Sequence, residues 1–207
     1  MILLATVSMA LAAAVPLFKG FGDSRYQMHD AVIVKCVREF NRHRGAWADA
    51  NRDQARQIPD LTEELVKAHM IQETGGNDSR SVASWKVDPL QINVPGDWSE
   101  EKGLLGLKKP LHRNEGQREA NIRAAIKYLV RKGFSSSGKP VRVLQDAEFI
   151  DWYTALKRYN GRGVMTTEGR QYCDEYAERV IERAVSPGKL VPIRIDVRSS
   201  RGHLRGR

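Results

Sequence analysis

The chain has 207 residues, of which 41% are hydrophobic, and a formal net charge of +9. This composition excludes a disordered chain, and the length suffices for one domain with a real core but barely for two. The charge favours a polyanionic partner, either nucleic acid, an anionic membrane surface or an acidic wall polymer. A solvated basic surface without a specific partner explains the charge equally well.

The N-terminal residues 2–18 are almost wholly apolar. A run of this length is typical of a signal-peptide core with its cleavage site, and it is slightly short for a membrane span. We therefore expect residues 1–20 to be an export signal or an uncleaved membrane anchor. Because no basic residue precedes Lys19, a buried helix or a domain cut from a longer protein is the alternative.

Apolar residues at helical spacing predict one mainly α domain over residues 21–187, with about six helices. The predicted helices cover residues 23–44, 61–73, 117–132, 146–159 and 167–185, and residues 45–58 form a short helix or loop. Asp60 is the expected N-cap of the second of these helices, with Glu63 as its capping-box partner. Residues 188–207 are rich in Arg and are predicted to be a mobile basic tail.

Glu73 ends the helix over residues 61–73, and Gly75 just after it is a typical helix C-cap residue. The unpaired carbonyl groups at a helix C-terminus disfavour a carboxylate, and apolar neighbours such as Met70 and Ile71 do the same. Both effects raise the pKa of a carboxyl group. A Glu that keeps its proton near neutral pH can act as a general acid, although a surface Glu on a helix end is the simpler interpretation.

Residues 77–109 contain repeated Pro and Gly, so we expect an irregular segment, and such segments are usually functional. Trp85 and Trp98 are its aromatic anchors, and hydrogen-bonding groups come from Gln91, Asn93 and Asp97. Aromatic faces beside amide and carboxylate groups suit a sugar ring, whose C–H face stacks while its hydroxyl groups need polar partners. One of the two Trp residues is expected to belong to the core instead.

Three short motifs occur in a fixed order: Glu73-Thr74-Gly75-Gly76-Asn77, then Asp88-Pro89-Leu90-Gln91-Ile92-Asn93, then Ala155-Leu156-Lys157-Arg158-Tyr159-Asn160-Gly161. This order resembles the soluble lytic transglycosylase and goose-type lysozyme family, over roughly residues 59–181. The resemblance implies a lysozyme-like α+β fold, with a catalytic cleft walled by the irregular segment 77–109. It also implies Glu73 as the acid, with Tyr159, Asn160 and Tyr172 or Tyr176 near it.

The resemblance further implies cleavage of the β-1,4 bond between N-acetylmuramic acid and N-acetylglucosamine in peptidoglycan, without a cofactor. A lytic transglycosylase needs no second carboxylate, whereas a lysozyme uses one to activate water. The chain departs from the family pattern at Asp88-Pro89, which replaces a Gly, so Asp88 and Asp97 are candidates for that second carboxylate. The transglycosylase is favoured, because Asp88 also fits a cap on the turn before Pro89.

Cleavage of peptidoglycan implies a periplasmic or secreted location, and the candidate partners are a secretion machine or an immunity protein. A wall-binding protein without activity is an alternative, which retention of Glu73 disfavours. Specific nucleic-acid binding has no support beyond charge. Cys36 and Cys173 are either a disulfide or two buried thiols, and the histidines show no metal-ligand spacing.

Overall fold

Helices contain most of the residues that the computed structural model describes, which are 21–22, 24–109, 114–136 and 143–187. The α-helices are α1 (Asp30–Arg42), α2 (Arg44–Ala48), α3 (Arg52–Gln57), α4 (Glu63–Thr74), α5 (Ser79–Val87), α6 (Glu100–Leu104), α7 (Arg118–Lys132), α8 (Trp152–Asn160) and α9 (Tyr172–Val185). Two 3-10 helices, Ser24–His29 and Glu115–Gln117, precede α1 and α7. The described residues contain isolated β-bridges but no named strand, so the prediction of a mainly α chain is confirmed.

The predicted start of the Glu73 helix was wrong. Thr62, and not Asp60, is the N-cap of α4, because its Oγ1 accepts a hydrogen bond from the backbone N–H of Leu65 at 3.2 Å. The carboxylate of Asp60 pairs instead with the guanidinium of Arg44. The helix therefore begins at Glu63, two residues later than its apolar pattern suggested.

Helices α1, α8 and α9 also begin later than predicted. For α8 and α9, the reason is that the residues before them form short antiparallel bridges. Phe149 is bridged to Phe134, so α8 starts only at Trp152, after its N-cap Asp151. A second bridge joins Met165 and Gln171, and α9 begins directly after it. In both places, pairing with a neighbouring segment overrides local helix propensity.

The prediction that residues 77–109 are irregular was wrong for two stretches. Helix α5 occupies residues 79–87, capped by the Asp78 carboxylate, which accepts a hydrogen bond from the Ser81 N–H at 3.0 Å. Helix α6 follows at residues 100–104. Two of the prolines that prompted the prediction, Pro89 and Pro95, lie between the two helices. The irregular part is thus mainly residues 88–99.

One hydrophobic cluster joins the helices, and its centre lies around α4, α7, α8 and α9. Helix α4 packs against both α1 and α9, and α8 packs between α7 and α9. Lys67 on α4 is fully buried, and its Nζ lies 2.6 Å from a carboxylate oxygen of Asp30 on α1. This packing fixes the C-terminal end of α4 relative to α8 and α9.

Cys36 and Cys173 are both buried free thiols, so the disulfide alternative was wrong. Burial raises the pKa of the Cys36 thiol to about 12. The predicted signal or anchor (1–20) and the basic tail (188–207) lie outside the described residues. Within the described ranges, none of the helices combines the length and the apolar character that a membrane span requires.

Candidate active site

Glu73 is the second-last residue of α4, and the backbone around it is held by several contacts. The Gly75 N–H caps the helix by donating to the Ile71 carbonyl at 2.8 Å. A Cβ atom on Gly75 would lie 2.4 Å from that carbonyl oxygen, so only glycine fits. The Gly75 carbonyl accepts hydrogen bonds from Tyr26 Oη at 2.7 Å and from an Arg25 guanidinium nitrogen at 2.5 Å. The end of the helix is therefore fixed from both sides.

The Glu73 carboxyl group is largely removed from water but still reaches the solvent, with 16% of its side chain exposed. The hydroxyl group of Tyr176, on α9, donates a hydrogen bond to Glu73 Oε1. Burial raises the pKa of Glu73 to about 7, and the nearby Asp88 charge acts in the same direction. The Tyr176 hydrogen bond and the charge of Arg162 lower this pKa but do not cancel the effect of burial.

His69 lies one helical turn before Glu73 and is buried behind it. Its Nε2 is 3.9 Å from Glu73 Oε1, and it is buried without a hydrogen-bond partner. The rings of Tyr159 and Tyr176 contact the imidazole edge to face, at centroid distances of 4.5 and 5.9 Å. Burial lowers the pKa of His69 to about 3, so the imidazole is neutral and adds no positive charge beside Glu73.

The turn after α5 is built around Asp88, which is fully buried. Its two carboxylate oxygens accept hydrogen bonds from the backbone N–H groups of Ile92, at 3.1 Å, and Asn93, at 2.9 Å. Gln91 in this turn adopts a left-handed backbone conformation with φ of 54°, which is uncommon for a residue other than glycine. Thr74 joins the turn to α4, because its Oγ1 donates to the Pro89 carbonyl at 2.8 Å.

These elements enclose a polar cavity of about 570 Å³. Seven of the residues predicted from the sequence line this cavity, namely Glu73, Gln91, Asp97, Tyr159, Asn160, Tyr172 and Tyr176. The Tyr159 hydroxyl group donates to the Leu90 carbonyl at 2.7 Å, which ties α8 to the turn after α5. Residues from three separate motifs thus converge on one concave surface.

Three of the predicted site residues do not line this cavity. Asp88 is enclosed within its turn, as described above. Asn93 is buried and donates from Nδ2 to the side-chain oxygen of Asn121 at 3.0 Å. Trp98 is half-buried and packs against the hydrophobic core, where Trp85 is also buried. The burial of Trp85 agrees with the prediction that one of the two Trp residues belongs to the core, and a sugar contact of Trp98 stays a prediction.

The two candidates for a second carboxylate have opposite environments. Asp88 has no exposed surface and its oxygens accept backbone hydrogen bonds. Asp97 lines the cavity, with 71% of its side chain exposed, and its carboxylate lies 2.8 Å from the Nζ of Lys102. Of the two, only Asp97 is accessible to a molecule in the cavity.

Sequence reasoning missed several residues of the site. The cavity wall also contains Gln72, Thr74, Arg80, Ser81, Ser84 and Arg162. The i, i+4 spacing of His69 and Glu73 was a usable signal, because it places both side chains on one helix face. Arg80 carried no such signal, since it belongs to a helix that the Pro and Gly pattern concealed. Arg162 reaches the cavity only through the fold of the segment between α8 and α9.

The raised pKa of Glu73 predicts a pH-dependent gain in stability for the variant Glu73→Gln. Between pH 4.5 and about 7, the folded wild-type protein keeps a proton on Glu73 that the unfolded chain loses, so its free energy of unfolding falls as the pH rises. Glutamine does not ionise, so the variant does not lose this part of the free energy of unfolding, which amounts to about 3 kcal/mol. We therefore expect the stability of the variant relative to wild type to increase by that amount between pH 4 and pH 8.

Urea denaturation of both proteins at pH 4, 6 and 8 measures this effect. Glu100→Gln is a suitable control, because Glu100 is exposed at the start of α6. A constant difference in stability between wild type and Glu73→Gln across this pH range would contradict a raised pKa at Glu73.

In the ranges that the structure describes, no group of three or more His, Cys, Asp or Glu residues is arranged to hold a metal ion. No protein-family model, curated protein or solved structure matches the chain.

Proposed function

We propose that the protein cleaves the β-1,4 bond between N-acetylmuramic acid and N-acetylglucosamine in peptidoglycan, as a lytic transglycosylase on a lysozyme-like domain. The observation that carries the proposal is Glu73, a carboxyl group with a pKa raised to about 7 in the wall of a polar cavity. A general acid for glycosidic cleavage requires a group that is protonated near neutral pH and accessible to a ligand. Glu73 meets both requirements.

The surroundings of Glu73 support the same assignment. Tyr176 donates its hydrogen bond to Oε1, so the proton of the carboxylic acid is carried by Oε2. His69 is neutral, so it adds no positive charge that would favour loss of that proton. The motifs that resemble the transglycosylase family also meet at this one cavity, through Glu73, Gln91 and Asn160. Their convergence depends on the tertiary fold and is independent of their order along the chain.

The reaction begins when Glu73 donates its proton to the glycosidic oxygen while the bond from that oxygen to C1 of the muramyl sugar breaks. The electron pair of the bond leaves with the oxygen, and the acetamido oxygen of the sugar stabilises the positive charge that develops at C1. The Glu73 carboxylate then removes the proton of the 6-hydroxyl group of the same sugar. The 6-oxygen bonds to C1, which gives a 1,6-anhydro end and restores the protonated acid without consuming water.

The environments of the two aspartates favour this reaction over hydrolysis. An inverting hydrolase needs a carboxylate that holds water, and a retaining one needs a carboxylate as nucleophile. Asp88 is enclosed and bound to backbone N–H groups, so it reaches neither water nor substrate in the cavity. Asp97 is accessible but paired with Lys102. A lysozyme-type hydrolase that uses Asp97 is the second candidate, because Asp97 lines the same cavity as Glu73.

Mass spectrometry of purified peptidoglycan after digestion tests the proposal. We expect muropeptides with 1,6-anhydro ends from the wild-type protein and none from Glu73→Gln. Reducing ends that disappear in Asp97→Asn would identify the hydrolase instead. If the wild-type protein releases no product but sediments with peptidoglycan, a wall-binding role without catalysis replaces the proposal. Cleavage of peptidoglycan also implies a periplasmic or secreted location, either for remodelling or as an antibacterial protein with an immunity partner.

A further inference from the structure

Two arginines in the wall of the Glu73 cavity have no role in the reaction described above. Arg80 comes from the first turn of α5, and Arg162 from the segment that joins α8 to α9. Both arginines are exposed. They contribute to the cavity wall from different elements, and the charge of Arg162 already acts on Glu73.

Neither guanidinium group has an ion-pair partner within the described residues, unlike many cations of this chain. Lys102, Lys157 and Arg170, for example, each lie within 3 Å of a carboxylate oxygen. The carboxylates that share the cavity wall with Arg80 and Arg162 are Glu73 and Asp97. Asp97 is already neutralised by Lys102, and Glu73 carries its proton below about pH 7. The cavity is therefore left with an excess of positive charge.

The position of Arg162 is fixed before any ligand arrives. Its backbone N–H donates to the side-chain oxygen of Asn160 at 3.2 Å, and its carbonyl accepts from the Cys173 N–H at 3.1 Å. The guanidinium group lies over the ring of Tyr172, 5.7 Å from the ring centre. A planar guanidinium held in this way can form two parallel hydrogen bonds to a carboxylate with little loss of side-chain entropy.

We propose that Arg80 and Arg162 select ligands that carry carboxylate groups, so that the cavity accepts an acidic glycan and discriminates against a neutral one. This inference rests on the proposed function, which identifies the bond that is cut. The inference itself concerns the carboxylate groups attached to the glycan. Peptidoglycan offers two sources of carboxylate. One is the peptide stem, and the other is the lactyl group of a muramyl sugar whose stem has been removed, since an attached stem converts that carboxyl group to an amide. Both would pair with the same guanidinium groups.

Calorimetric titration of the Glu73→Gln protein tests the proposal without turnover. The probes are a peptidoglycan tetrasaccharide with its peptide stems, the same glycan after an amidase has removed the stems and freed the lactyl carboxylates, and the neutral tetramer of N-acetylglucosamine. We expect both acidic glycans to bind at least about tenfold more tightly than the neutral tetramer. The acidic glycan that binds more tightly identifies the source of the carboxylate. Because exposed ion pairs are screened, this preference should weaken as the salt concentration rises.

Arg80→Gln and Arg162→Gln, each added to Glu73→Gln, should weaken binding of the acidic glycans by about three- to tenfold and leave the neutral tetramer unchanged. Arg52→Gln is the matched control, since Arg52 is exposed, outside the cavity, and loses the same charge. Thermal melting checks that all variants fold. Equal affinity for acidic and neutral glycans, or no effect of either cavity substitution beyond the control, would overturn the inference.

Wild-type cleavage of the same glycans separates this inference from the proposed function. Cleavage of acidic and neutral glycans at equal rates would preserve the glycosidase and overturn the selection by charge. Tighter binding of the acidic glycans without any cleavage would support the selection by charge and contradict the proposed glycosidase activity. Failure of every glycan to bind would overturn both.

Discussion

Replacing Glu73 with Gln is expected to lower the rate of peptidoglycan cleavage by about 10²–10⁴-fold, the range that positioned general acids contribute. Glutamine keeps the shape of the side chain, and its oxygen can still accept the hydrogen bond from Tyr176. It cannot donate a proton to the glycosidic oxygen or remove one from the 6-hydroxyl group. The time course of anhydro-muropeptide release measures the loss.

Glu63→Gln, at the opposite end of the same helix, is the control and should retain wild-type activity. The pH dependence provides a second test of the same residue. Because the acid must be protonated to begin the reaction, the wild-type rate should fall as the pH rises above about 7. A Glu73→Gln protein with more than a tenth of the wild-type rate would show that another group supplies the proton.

Replacing Asp88 with Ala is expected to destabilise the protein by about 3–5 kcal/mol. Alanine leaves the buried N–H groups of Ile92 and Asn93 without the carboxylate that accepts their hydrogen bonds, and an unsatisfied buried donor costs about 1–3 kcal/mol. The loss also releases a turn in which Gln91 holds a left-handed backbone conformation. Chemical denaturation with urea at pH 7 measures the change.

Asp97→Ala is the natural comparison for Asp88→Ala. Its carboxylate is mostly exposed and pairs with Lys102, so its removal should change the stability by less than about 1 kcal/mol. The two aspartates were equivalent candidates for a second catalytic carboxylate in the sequence. This pair of measurements distinguishes a residue that stabilises the fold from one that is accessible in the cavity. An Asp88→Ala protein as stable as wild type, yet inactive, would point to a direct catalytic role for Asp88.

Glu73 shows how far the sequence alone determined the site. Its position at the end of a helix, before Gly75, followed from local apolar spacing and from the frequency of glycine just after a helix, and both signals are local. Helix α7 was predicted over residues 117–132 for the same reason and is observed over residues 118–132. The direction of the Glu73 pKa also followed, but its cause is burial between α4, α8 and α9, which depends on packing.

The start of α8 illustrates what local patterns could not decide. Residues 146–151 share the helical pattern of the residues after them, but Phe149 pairs with Phe134 and holds this stretch away from the helix. Helix α5 was missed for the opposite reason. The Pro and Gly residues around it suggested breaks throughout the segment, while its Asp78 cap and its packing stabilise nine helical residues.

The sequence by itself determined the mainly α class and the end of α4, because each depends on contacts between residues a few positions apart. It indicated the candidate acid through the order of three motifs along the chain. Only the tertiary structure decided that Asp88 is enclosed while Asp97 is accessible. It also decided that His69 is packed against Tyr159 and Tyr176. Arg80 and Arg162 likewise share the cavity of Glu73 only through the fold. These features depend on segments up to about a hundred residues apart in the chain, where burial and distance are set by packing and leave no local periodicity to read.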